Sequence, residues 1–196
     1  MKKCILLTTL SILVVFASVV SAGKKQEARN DRQDIKQSKK QINYTIVAFN
    51  NLSLAIDFWH DATLKGDRKA IAEHKEMIHE IISEDIKDSY KSVTYAKLEA
   101  SYSKDEFKNN KNKKAKADDK YDFKDDKRDL KNEETILRAK QRLYDSLQKS
   151  KSFAYSYRLL ADYQQLLKNE LEANKVELAE DVNELKEDAG RARLIR

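Results

Sequence analysis

From Ile35 onward the non-polar positions recur in steps of three, four or seven. They are Ile35, Ile42, Ile46, Phe49, Leu52, Ile56 and Trp59, with Thr63 extending the row. This is the period of an α-helix. A second row (Leu54, Ala55, Phe58 and Ala62) widens the stripe. Over 42–64 more than half of the helix circumference is apolar, which predicts burial on several sides.

The next punctuation is Leu64-Lys65-Gly66-Asp67-Arg68. Gly66 suits a left-handed position just past a helix end, and Asp67 suits the N-cap of a following helix. Together they predict a tight antiparallel hairpin. Its second arm carries Ile71, Met77, Ile78, Ile81, Ile82, Ile86, Tyr90, Val93, Ala96 and Leu98 at helical spacing.

The pattern fades at about Lys104. Lys108, Lys111, Lys113, Lys114 and Lys116 form a run without acids, interleaved with asparagines and followed by a block of aspartates from Asp118 to Asp129. Asparagine and like-charge blocks disfavour helix, so 104–124 reads as a charged linker or a weak helix. Helical spacing returns with Leu130, Leu137, Leu143, Leu147, Ala154, Tyr157, Leu160, Leu167, Leu171, Leu178, Val182 and Leu185. No glycine or proline interrupts it before Gly190. Residues 125–190 therefore form one long helix or a second hairpin.

The halves align weakly, pairing Asp31 with Asp126, Leu52 with Leu147, Phe58 with Phe153, Leu64 with Leu159 and Asp67 with Asp162. A duplicated hairpin would turn near Asp162 and give four helical segments.

Composition supports helices alone. The chain has no proline, only three glycines, and 37% charged residues. Sandwiches and barrels need Gly/Pro turns, and dinucleotide or P-loop sites need glycine-rich loops. The predicted fold class is all-α: long antiparallel helical hairpins forming a bundle or coiled-coil-like assembly.

The first 22 residues read differently. Lys2 and Lys3 precede an apolar run from Ile5 to Val20, and Val20-Ser21-Ala22 stands before Gly23. This is the layout of a secretory signal; an uncleaved N-terminal anchor is the alternative. Cys4, the single cysteine, would leave with the signal. Loss of Lys2 and Lys3 takes the net charge from +6 to +4. The segments are thus a signal at 1–22, a polar stretch at 23–34, a hairpin at 35–103 turning at 64–68, the charged stretch 104–124, the helix or hairpin 125–190, and a basic tail at 191–196.

Chemistry-bearing groups are few. His60, His74 and His79 lie close in sequence, with acids three residues before two of them (Asp57 and Glu76). Residues three apart share a helix face, and Glu-x-x-His on facing helices is a bundle metal-site pattern. These five residues are the candidate metal ligands. The nucleophile elbow and the zinc-protease helix motif are missing from the sequence, so no enzyme activity, cofactor or small-molecule substrate is expected. The lysines at 108, 111, 113, 114 and 116, flanked by Phe107, Tyr121 and Phe123, form a candidate contact with an anionic membrane surface or a polyanion. Export argues against nucleic acid as the partner. The triplets Asn43-Tyr44-Thr45 and Asn51-Leu52-Ser53 match the glycosylation acceptor but fall on the most apolar helix.

The sequence thus points to an exported, non-enzymatic helical module of the cell envelope that binds a protein partner or its own copies. A periplasmic chaperone-like or scaffold role, and a metal-binding bundle, are the competing readings.

Overall fold

The structure is a computed structural model. It describes the backbone of residues 2–110 and 115–193, and side chains within 32–110 and 116–186 apart from 118 and 184. Four helices are described, with no strand among these residues: α1 (Lys2–Lys65), α2 (Arg68–Asn109), α3 (Ala115–Lys149) and α4 (Phe153–Arg193). The all-α class read from the sequence is the class observed. The candidate signal at 1–22, Cys4 included, and the basic tail at 191–196 lie outside the residues whose side chains are described. Among the described residues, no helix is long and apolar enough to cross a membrane.

The α1–α2 turn forms as its residues dictate. Gly66 takes φ +68°, and its N–H donates to the Thr63 carbonyl while the Asp67 N–H reaches back to Ala62. This paired 6→1 and 5→2 pattern closes the helix on a left-handed glycine. Asp67 then caps α2, its carboxylate accepting from the N–H groups of Lys69 and Ala70 at 3.1 Å each.

The charged stretch is mostly helix. Residues 104–109 complete α2 and 115–124 open α3. Phe107 and Phe123 stack at 6.4 Å across these two helices, and Lys116 Nζ sits 5.3 Å from the Phe107 ring centroid. Ring contacts there hold a segment that propensity alone leaves weak.

The second predicted turn is displaced. α3 ends at Lys149 and α4 begins at Phe153, so the chain reverses at 150–152 and not near Asp162. Serines replace glycine as the device. The Ser150 N–H bonds the Leu147 carbonyl in a tight last turn, Ser152 Oγ accepts from the Tyr155 N–H at the start of α4, and Ser156 Oγ bonds Ser150 Oγ at 2.8 Å. Asp162 lies inside α4.

The chain divides into two compact units. One is Asn43–Glu172; the other combines Met1–Ile42 with Ala173–Arg196. In the second unit, Ser38 Oγ donates to Asp181 at 2.8 Å, joining α1 to α4. The Asn43–Glu172 unit holds the main core: Leu52, Ile56 and Trp59 from α1, Ile78, Ile82 and Val93 from α2, Leu137 and Leu147 from α3, and Leu160 and Leu167 from α4. Four helical segments thus share one apolar interior, a helical bundle.

Asp67→Ala removes the α2 cap and should cost about 1 kcal/mol. That corresponds to a fall in Tm of about 2–4 °C for a chain of this size, read by thermal melting in the far ultraviolet. An unchanged Tm would show that the cap adds nothing to the hairpin.

Candidate functional site

The best-formed polar constellation lies inside the Asn43–Glu172 unit. On α2, Ile78, Ile82, Asp85, Ser89 and Val93 follow one another along the buried seam. On α3 the corresponding row is Leu130, Glu133, Leu137, Lys140, Tyr144 and Leu147, and on α4 it is Ser156, Leu160, Tyr163, Leu167 and Glu170. Every row keeps the three–four spacing of helices packed side by side, yet each carries polar residues at core positions.

Those residues meet. Lys140 has no exposed surface. Its Nζ donates to Asp85 at 3.0 Å and to Ser89 Oγ at 2.9 Å. It also sits 2.7 Å from Glu170 Oε2, close as an ion pair though off the hydrogen-bonding direction. Tyr163 donates its hydroxyl to the other Asp85 oxygen at 2.7 Å. One ammonium is therefore shared by two carboxylates contributed from different helices.

The electrostatics follow from burial and this excess of negative charge. Burial works to lower the Lys140 pKa, but Glu170 and Asp85 outweigh it and hold the ammonium above its ordinary value. Burial pushes the Glu170 carboxyl up, against the pull of Lys140. It likewise pushes up the Tyr163 phenol, helped by the Asp85 carboxylate. Glu133 is raised to about 7, first by burial and then by the charge of Glu170. Asp85, Lys140, Tyr163 and Glu170 are buried in the packed seams, with Glu133 half-buried at their edge, so the arrangement fits helix registration.

A second feature is exposed. From Asn43 to Ile56 the chain has no charged residue, although 37% of the whole is charged. Leu52, Ala55, Ile56 and Trp59 point into the core. One flank of α1 meets α2 through Phe58 and His74, with ring centroids 5.6 Å apart. The other meets α4 through His60 with Tyr157 at 5.9 Å, and through Ser53 with Gln164 at 2.9 Å. The remaining arc faces outward. On it Tyr44 is 42% exposed, Val47 47%, Leu54 55% and Phe58 51%, with Asn43, Asn50 and Asn51 exposed among them. The width of the stripe predicts burial on several sides. Three sides are covered; Leu54 stands on the fourth, and Phe58 lies at its border with α2, half-exposed beside His74.

The sequence-predicted ligands are dispersed. His74 packs on Phe58, His79 on Tyr144 at 5.6 Å, and His60 between Phe153 and Tyr157. Asp57 and Glu76 are exposed. Among the described residues no three His, Cys, Asp or Glu side chains come together as a metal-ligand set. Burial, with Lys75 adding to it, lowers the His79 pKa, which favours the neutral ring. His79 and Trp59 border a cavity of about 10 Å³ with Ile78, Leu147 and Leu160, room for about one water molecule. Of the lysine run, Lys108 is exposed at the end of α2 and Lys116 lies by Phe107; Lys111, Lys113 and Lys114 lie outside the described residues.

Comparison with family models, with curated proteins and with solved structures gave no match.

Lys140→Met leaves two buried carboxylates unpaired and should cost about 3–5 kcal/mol. Adding Asp85→Asn and Glu170→Met should restore most of that loss, as measured by urea denaturation. A single variant as stable as the triple would show that the network is solvated.

Glu133 gives a pH signature. Its folded pKa of about 7 lies above the ordinary carboxylate value of 4.5, so between these limits the folded state binds more protons than the unfolded one. Its contribution therefore destabilises progressively as pH rises from about 4.5 through 7. Glu133→Gln should raise stability at pH 8 by on the order of 2 kcal/mol and change little at pH 4.5. An equal effect at both pH values would contradict the assignment.

Proposed function

We propose that this chain is an exported, non-enzymatic helical bundle that acts as a binding or structural module of the cell envelope, and that it engages a protein through the outer face of α1. The observation that carries this reading is the outer arc of α1, which has no charge from Asn43 to Ile56 and continues in the half-exposed Phe58 beside Asp57. Ordinary helix surfaces in so charged a chain carry lysine and glutamate, as α2 does at Lys69, Glu73, Lys87 and Lys91. An arc of tyrosine, valine, leucine, phenylalanine and asparagine has instead the composition of a protein interface, which is depleted in charge and enriched in aromatics. The sequence layout of 1–22 supports export, and the mature net charge of +4 is compatible with an anionic envelope surface nearby.

A photo-crosslinking residue at Phe58 should yield discrete adducts in the exported protein in its own host, while the same residue at Glu73 should not. Equal adducts at both positions, or none at Phe58, would contradict the reading.

A further inference from the structure

The outer arc of α1 has an order of its own. Tyr44, Val47, Asn51, Leu54, Phe58 and Asp61 follow in alternating steps of three and four, which is the seam one helix offers to another lying alongside it. The seam is all but uncharged as far as Phe58, and Asp57 and Asp61 lie at its C-terminal end.

Resting on the proposed binding role of this face, we infer that its occupant is a second copy of this chain, docked α1 against α1 in antiparallel orientation. A two-fold axis then lies beside Leu52 and Ser53. Val47 packs on Phe58 of the second copy, and Asn51 lies beside Leu54 of the second copy, each contact occurring twice.

Charge decides the direction. A parallel pair would stack Asp57 on Asp57 and Asp61 on Asp61, like charges at close range. The antiparallel pair separates them and sets each Asp61 level with Tyr44 of the second copy, away from its like charge. The area is sufficient in kind. Four half-exposed large side chains and three asparagines offer on the order of 600 Å² per copy, against about 800 Å² a side in a standard interface. Association should accordingly be reversible, with a micromolar constant. Asn51 in an otherwise apolar seam is the usual device for fixing register at some cost in affinity.

The test is sedimentation equilibrium of the exported protein across a concentration series. The wild type should pass from monomer to dimer. Leu54→Glu sets a carboxylate beside Asn51 of the second copy and within about 5 Å along the axis of the same new carboxylate on that copy. Two like charges then meet at the two-fold, which should weaken dimerisation by at least about tenfold. Its melting curve should be unchanged, since Leu54 contributes little to the core. Asn51→Leu should act oppositely and tighten the dimer, an effect that loss of folding cannot produce. A wild type that stays monomeric at about 100 µM, or a dimer indifferent to both variants, would overturn the inference. Monomeric protein that still forms a Phe58 adduct with a different protein would overturn the second copy as occupant while leaving the binding role of the face standing.

Discussion

An ammonium group taken out of water constrains the Asn43–Glu172 unit more tightly than any apolar contact in it. Lys140 on α3 must find Asp85 and Ser89, one turn apart on α2, and Glu170 on α4. Sliding any of these helices by one residue turns the side chain by about 100°. The charge would then be buried without a partner, at a cost of several kcal/mol. The isoleucine and leucine layers are less demanding, because a helix shifted by a heptad would still bury apolar groups. Long regular helices with repeating stripes have many near-equivalent alignments, and the ionic layer separates one from the rest. It adds little to net stability, since desolvation offsets most of the attraction. Tyr163 completes the arrangement by satisfying the second Asp85 oxygen.

That registration has a consequence at the surface. With α2, α3 and α4 held together around Lys140, α1 is left packing its Leu52, Ile56 and Trp59 face inward. Its flanks are taken by His74 of α2 and by Tyr157 and Gln164 of α4. On the arc opposite the core Val47 and Leu54 are exposed, with Phe58 at its edge beside His74. The absence of lysine or glutamate there, in a chain otherwise full of both, is the physical basis of the functional reading.

The helical class and the first turn were legible because their signals are local. A period near 3.6, a missing proline, Gly66 and Asp67 each act within a few residues. The second reversal was not legible by the same rule. Ser150 and Ser152 make the turn by side-chain hydrogen bonds, and serines occur elsewhere in these helices without breaking them, as at Ser89 and Ser103. The ionic layer was missed for a different reason. A search for apolar periodicity passes over Asp85, Glu133, Lys140 and Glu170, although all four stand at seam positions. Charged residues falling in phase with an apolar stripe were the available signal. The histidines are close in sequence but stand on different flanks, each beside its own aromatic neighbour.

The central claim is that the outer face of α1 is a self-complementary, antiparallel interface. Inter-copy distances between spin labels test it most directly. Cys4 is the only native cysteine and lies in the candidate signal, so labels can be placed singly at Asn50→Cys and at Asn43→Cys. Helix axes about 10 Å apart, with a two-fold beside Ser53, predict a short distance of about 15–25 Å for the label at 50. The label at 43 should lie about 30 Å or more from its counterpart, because it is displaced from the axis by 1.5 Å per residue in each copy. Equal distances at both positions, or no dipolar coupling at either, would contradict the account.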